Sequence, residues 1–176
     1  MGFLSAPKLA ILSQDAGANH VQKSETAIKR ALLVANPASR LGRRRLPRTR
    51  VALEKAGVQC DVVFTERSGH ATEIVLARAA DYDAVFTLGG DGTAMEAAGA
   101  LTGTGRPLGV LAGGTGNLLV RALGIPLNPS RAVPALLEGD ELYIDLGRIA
   151  SCDPPRRFAV AAGVGIDASM VAETPS

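Results

Sequence analysis

The sequence predicts an α/β domain: a three-layer open parallel sheet with helices on both faces. Three observations carry that expectation. Apolar runs of strand length alternate with stretches whose apolar residues recur at helical spacing. Several of these runs end at glycine or proline, the residues that stop a strand or turn the chain. Apolar residues make up 47% and charged residues 20% of the 176-residue chain, the balance of a soluble domain with one core. Strands alternating with helices imply parallel neighbours joined by right-handed crossovers.

Residues 1–29 show no sustained period and are expected to be a flexible N-terminal extension, with the folded domain occupying 30–176. Ala31-Leu32-Leu33-Val34-Ala35 reads as a buried strand stopped at Asn36-Pro37. An arginine-rich stretch then leads into a helix over residues 49–56, closed by Gly57, and a second strand covers 58–64. The next helix is expected over 70–80, with Ala71, Ile74, Val75 and Ala79 on one face. Ala84-Val85-Phe86-Thr87-Leu88 is a third strand running into Gly89-Gly90-Asp91-Gly92-Thr93, and Thr93 opens a helix to about Leu101. Leu108-Gly109-Val110-Leu111 is a fourth strand meeting a second glycine turn, Gly113-Gly114-Thr115-Gly116-Asn117. A short helix over 118–123 ends at Gly124 and Pro126, and another is expected over 130–138 with Pro134 inside it. Residues 141–149 and 157–162 read as further strands.

Composition narrows the function classes. Aromatics are only 3%, so Ala, Val, Leu and Ile must build the core. A formal net charge of +2 gives no reason to expect nucleic acid as a partner. Cys60 and Cys152 form no CxxC pattern and lack the histidines of a zinc site, so both read as buried small hydrophobes in a reducing compartment. No apolar run approaches the roughly 18 residues of a membrane span. The first twelve residues have no cationic start, which makes a poor signal peptide. A cytoplasmic location is therefore expected, peripheral to a membrane at most.

The chemistry gathers at two strand ends. Ligands of open α/β sheets bind outside the carboxyl ends of the strands, and both glycine turns sit there. Glycines at Gly89, Gly90 and Gly92 let phosphate oxygens approach backbone amides. Thr93 and Glu96, three residues apart, fit a capping box, and the helix N-terminus behind the turn suits an anion. Asp91 is the informative residue. A carboxylate beside a phosphate is repelled unless a metal ion or a proton lies between them, so Asp91 fits a role toward Mg²⁺ or a substrate hydroxyl. One such turn is equally well explained as a tight turn with a capping acid; two on neighbouring strands favour phosphate binding. GxxxxGK[ST] is missing, and Lys8, Lys23, Lys29 and Lys55 all lie away from the glycine turns, which excludes the P-loop mechanism. Gly163-Val164-Gly165-Ile166-Asp167-Ala168 fits GxGxxA, but with Ser176 as the last residue it reads better as a tight turn.

In their order, Asn36-Pro37-Ala38-Ser39, Thr65 with His70-Ala71, Gly89-Gly90-Asp91-Gly92-Thr93 with Glu96, and Gly114-Thr115-Gly116-Asn117 resemble the catalytic domain of the diacylglycerol kinase and sphingosine kinase family. The glycine-aspartate turn alone is also similar to NAD kinases and 6-phosphofructokinases. The resemblance runs from about Arg30 onward. It implies ATP contacts from Asn36, Ser39, Thr65, Gly89, Gly90, Asp91, Gly92, Thr93, Gly114, Thr115 and Asn117, with Glu96 closing the turn. Asp91 becomes the candidate catalytic residue, reaching a metal through Mg-ATP. The implied reaction is in-line transfer of the γ-phosphoryl group from ATP, with Mg²⁺, to a lipid hydroxyl such as that of diacylglycerol.

Two departures from the family bear on this expectation. Its members continue into a β-rich second domain carrying the acyl pocket, further metal ligands and the general base, and they often have asparagine where this sequence has Val160. A chain of this length is thus expected to keep an ATP-site shell with little turnover by itself. A soluble-substrate kinase of NAD kinase type and a non-catalytic nucleotide-binding module stay open as alternatives. Arg40, Arg43, Arg44, Arg45, Arg48 and Arg50 crowd residues 40–50. They read either as a solvated helix face or as a patch drawn to anionic headgroups, giving peripheral membrane contact beside a lipid substrate. The reading also leaves room for a homodimer.

Overall fold

The structure is a computed structural model and describes residues 9–13, 21–23, 27–149 and 156–159. Nine strands and five helices follow in chain order among these residues: β1 (Leu9–Ser13), β2 (Val21–Gln22), β3 (Arg30–Ala35), α1 (Gly42–Lys55), β4 (Gln59–Phe64), α2 (His70–Arg78), β5 (Ala84–Gly89), α3 (Asp91–Leu101), β6 (Leu108–Ala112), α4 (Leu118–Ala122), α5 (Pro129–Glu138), β7 (Glu141–Asp145), β8 (Gly147–Ile149) and β9 (Arg156–Phe158). Seven strands make one sheet in the order β2-β7-β1-β6-β5-β3-β4, while β8 and β9 pair separately.

The α/β class is as the alternating pattern implied, and β4, β3, β5 and β6 form the expected parallel block. Their continuous apolar runs follow from burial on both faces: Leu32, Leu33, Val34, Val85, Phe86 and Leu111 are all within 1% of complete burial. α1 packs with α5, and α2 packs with α3. The order of connections explains this. The chain moves one way from β3 to β4 and returns past β3 to β5 and β6, so right-handed crossovers put α1 on one face and α2 and α3 on the other.

Two expectations need correction. The sheet is mixed, since β1 runs antiparallel to β6 and β2 antiparallel to β7, while β1 and β7 are parallel. The same strands correct the reading of residues 1–29 as a flexible extension, because residues 9–13 and 21–22 belong to the sheet. Leu9, Ala10, Ile11 and Leu12 are all buried. Without β1, strand β6 would expose a hydrogen-bonding edge and part of the core under α3, so covering it satisfies both. A short run in which residues 9–12 are all buried has no alternation to announce it.

Helix α1 starts at Gly42, seven residues before the expected position, so most of the arginine cluster is helical and Pro47 lies inside it. Its first turn is held from outside: the Leu41 N–H donates to the Gly113 carbonyl at 2.9 Å, and Arg45 Nη1 donates to the Ala112 carbonyl at 2.7 Å. Those tethers offset the hydrogen bond that proline removes. α5 likewise accommodates Pro134, starting at Pro129 with Asn128 Oδ1 capping the Ser130 N–H at 3.0 Å. The expected strand over 141–149 is broken at Leu146 into β7 and β8. Of the strand expected over 157–162, the structure shows β9 at Arg156–Phe158, while residues 160–162, Cys152 and the Gly163–Ala168 motif lie outside the described residues, Val160 among them.

Candidate functional site

Because β3, β4, β5 and β6 are parallel, their carboxyl ends open on one edge of the sheet. Asn36, Thr65, Gly90 and Gly113 each follow one of those strands, so residues spread over nearly eighty positions meet there. The two glycine turns touch through backbone. The N–H groups of Gly113 and Gly114 both donate to the Gly89 carbonyl, at 2.8 and 2.9 Å. A Cβ on Gly113 would fall 2.8 Å from Gly89 N, and one on Gly114 would fall 2.7 Å from Gly90 Cα. Glycine is required at both positions by this approach of one chain to another.

The second turn is shaped by Asn117, which adopts the left-handed region (φ 50°) that asparagine tolerates better than most residues. Its Nδ2 donates to the Gly114 carbonyl at 2.8 Å and its Oδ1 accepts from the Gly114 N–H at 3.0 Å. Asn117 is buried and forms the loop, while Thr115 is exposed on its outer side. Two arginines brace this turn, and neither was singled out for that role from the sequence. Arg45 holds the Ala112 carbonyl, and Arg121 Nε donates to the Gly116 carbonyl at 3.1 Å. Arg121 lies at the end of a five-residue helix, and its reach back to the turn depends on where that helix starts.

The first turn leads into α3 with Gly90 as N-cap. Its opening amides have no intrahelical acceptor, and they stand at the positive end of the helix dipole, which together favour an anion. The capping box expected from Thr93 and Glu96 is not formed. Thr93 lies inside the helix, buried, with Oγ1 accepting from Asn36 Nδ2 at 3.5 Å. Glu96 instead caps a different helix. Its carboxylate accepts from the Gly69 N–H at 2.8 Å, the Ala71 N–H at 3.1 Å and Ser68 Oγ at 3.4 Å, all at the start of α2. A capping box needs the acid to turn back on its own first turn. Here α2 packs on α3 and brings stronger unmet donors to the same carboxylate.

Asp91 joins the two turns, as its Oδ1 accepts from the Leu119 N–H at 3.1 Å and thereby caps α4. Its Oδ2 points along Gly116, 3.2 Å from where a Cβ would stand. Asn36 Oδ1 accepts from the Ala38 N–H at 2.9 Å, and Ser39 Oγ donates to the Asn36 carbonyl at 2.8 Å, so both residues shape the loop after β3. Thr65 is buried and anchored by its N–H to the Ala35 carbonyl at 2.9 Å.

Among the described residues no group of three acidic, histidine or cysteine side chains could hold a metal. The donor set still fits Mg²⁺ brought with a nucleotide, because Mg²⁺ commonly takes one or two carboxylates plus substrate phosphates. Asp91 has one carboxylate oxygen for that purpose. Cys60 is half-buried against the core, and burial above all pushes its thiol up to about 11; Arg50 works against the shift and Asp61 adds to it. It is therefore protonated at neutral pH and a poor nucleophile.

A parallel strand block carries two interlocked glycine turns at its carboxyl edge, one opening an eleven-residue helix, an arrangement in an α/β domain whose free backbone amides suit an anion. The profile of the diacylglycerol kinase catalytic domain matches residues 30–149, and the chain belongs to that family. A diacylglycerol kinase of Staphylococcus saprophyticus is 36% identical over 153 residues, covering 84% of this chain and 49% of the relative. One from Staphylococcus carnosus is 38% identical over 128 residues, covering 70% of this chain and 42% of the relative. A crystal structure of a Bacillus anthracis diacylglycerol kinase superposes with a TM-score of 0.56 at 28% identity, over 62% of this chain and 39% of that one. The chain thus spans about half the length of the curated relatives it matches.

Proposed function

We propose that the chain supplies the ATP-binding part of a lipid kinase that transfers the γ-phosphoryl group of ATP to the hydroxyl of diacylglycerol. The observation that carries this is the meeting of Asn36, Thr65, Gly89–Thr93 and Gly114–Asn117 on one sheet edge, with the two glycine turns in backbone contact. The α3 amides and the glycine backbone bind phosphate oxygens. Asn36, Ser39 and Thr65 line the neighbouring strand ends where the rest of the nucleotide lies. Mg²⁺, when bound with ATP, neutralises charge developing on the transferred group.

Asp91 has two tasks in this scheme. Oδ1 fixes the second turn through Leu119, and Oδ2 would serve Mg²⁺ carried by the nucleotide or the acceptor hydroxyl. The residues of this chain act by positioning and by electrostatics, which is where most of the catalytic work of phosphoryl transfer lies. The acceptor belongs to a bilayer, and the exposed arginines of residues 40–50 attract its anionic headgroups.

Calorimetric titration with Mg-ATP tests the nucleotide reading directly, and failure to bind ATP refutes it. Incubation with γ-labelled ATP and either diacylglycerol vesicles or NAD tests the acceptor. Label in phosphatidic acid is the expected product. Label on NAD alone overturns the lipid assignment, and ATP binding with no transfer to either makes the chain a nucleotide-binding module.

A further inference from the structure

His70 is the first residue of α2, half-buried, and stands five positions after Thr65. Cα–Cβ bonds tilt toward the N-terminus of a helix, so a side chain at this position leans back over the chain that enters it. The imidazole closes on that entering loop. Its Nδ1 accepts from the Glu66 N–H at 3.1 Å, while the backbone N–H of His70 donates to the Arg67 carbonyl at 3.3 Å. A ring nitrogen that accepts carries no proton, so the proton of the neutral ring sits on Nε2.

The Glu66 N–H belongs to the same peptide plane as the Thr65 carbonyl. In a trans peptide the two point in opposite directions, so holding the N–H toward α2 turns the Thr65 carbonyl away from it. On its other side, Thr65 is held by its own N–H, which donates to the Ala35 carbonyl at 2.9 Å. Thr65 is thus fixed through both of its peptides, by β3 on one and by His70 on the other, and it is buried although β4 has just ended at Phe64. The rest of the loop is tied elsewhere. The Gly69 and Ala71 amides go to Glu96, and Arg67 pairs with Glu73 at 2.8 Å with side chains 60% and 55% exposed. A pair so open to water contributes little. Among the described residues, His70 is the one side chain that holds the Glu66 amide.

We propose that His70 is a positioning residue: by accepting from the Glu66 N–H it sets the Thr65 peptide, and through it the contact of Thr65 with the nucleotide. This rests on the reading of Thr65 as part of the ATP site and adds a residue that acts on that site without touching ATP. Asparagine can replace it, since a short planar side chain puts an amide oxygen where the imidazole has Nδ1. Glutamine cannot, because its amide lies one bond further out.

Hydrogen exchange on the nucleotide-free chain reads the bond, and calorimetry with Mg-ATP reads its consequence. In His70→Ala the Glu66 amide exchanges roughly fivefold faster, and Mg-ATP binds about five- to tenfold more weakly. His70→Asn restores both to within about twofold of the parent, whereas His70→Gln behaves as His70→Ala. The Gly69 and Ala71 amides, held by Glu96, keep their protection in all three variants. Should the alanine variant fail to fold, the contrast between asparagine and glutamine decides by itself. Unchanged Glu66 exchange in His70→Gln, or equal weakening of ATP binding in His70→Asn and His70→Gln, overturns the proposal. Faster Glu66 exchange with ATP bound as tightly as by the parent overturns it while the nucleotide reading stands. A parent chain that binds no Mg-ATP overturns both.

Discussion

Replacing Glu96 separates a structural role from a direct contact with ATP. In the structure both carboxylate oxygens are engaged by the first turn of α2, through the N–H groups of Gly69 and Ala71 and the hydroxyl of Ser68. Glu96→Ala leaves the Ala71 amide, in a fully buried residue, without its acceptor. An unsatisfied buried donor costs about 1–3 kcal/mol, and loss of an N-terminal cap about 1 kcal/mol. Counting the overlap between those terms, the expected loss is about 2–3 kcal/mol. With a urea m-value of about 2 kcal/mol/M, the unfolding midpoint falls by about 1 M. Glu96→Gln keeps one acceptor but turns an NH2 toward the other amide, so about half that loss is expected. ATP affinity, read by calorimetry on the same variants, should fall less than about tenfold, since Glu96 acts through the segment between Thr65 and α2. An unmoved midpoint with ATP binding abolished refutes the helix-clamp reasoning and restores a direct contact.

Two further perturbations test the site and the opposite end of the sheet. Gly113→Ala drives a methyl against Gly89 backbone that no rotamer change relieves, so a stability loss of about 1–3 kcal/mol and weakened ATP binding are expected. A fully stable variant with unchanged ATP affinity contradicts the crossing of the two turns. Asp83 Oδ2 accepts from the backbone N–H groups of Arg30 and Lys29, both at 2.8 Å, and these hold its carboxyl below the usual aspartate range. The folded state thus binds the proton less readily than the unfolded chain. The stabilisation, about 1 kcal/mol for a partly exposed carboxylate, is present above about pH 4 and lost as pH falls through the folded value. Urea midpoints of the parent and Asp83→Asn should converge below that range, and a constant gap from neutral to acid pH argues against the bonds.

Much of the site was legible because its signals are local. Proline after Asn36 stops β3 whatever lies beside it, and the glycines after β5 and β6 turn the chain by their own torsional freedom. Buried parallel strands need continuous apolar runs, which made β3, β5 and β6 readable, and the resemblance rested on the same punctuation. Local rules also misled. Thr93 and Glu96 satisfy the spacing of a capping box, yet Glu96 spends its carboxylate on α2, twenty-seven residues earlier at Gly69.

The sequence by itself determined the strand block, the two phosphate-compatible turns and the family, because torsional preference and apolar period act over a few neighbouring residues. Only the tertiary structure decided that Leu9–Ser13 closes the β6 edge, that Asp91 spans to Leu119, and that Arg45 leaves its cluster for the second turn. Each of those outcomes depends on which donor or apolar edge arrives within contact distance in space. Sequence spacing does not encode that arrival; the packing of α1 and α3 against the sheet does.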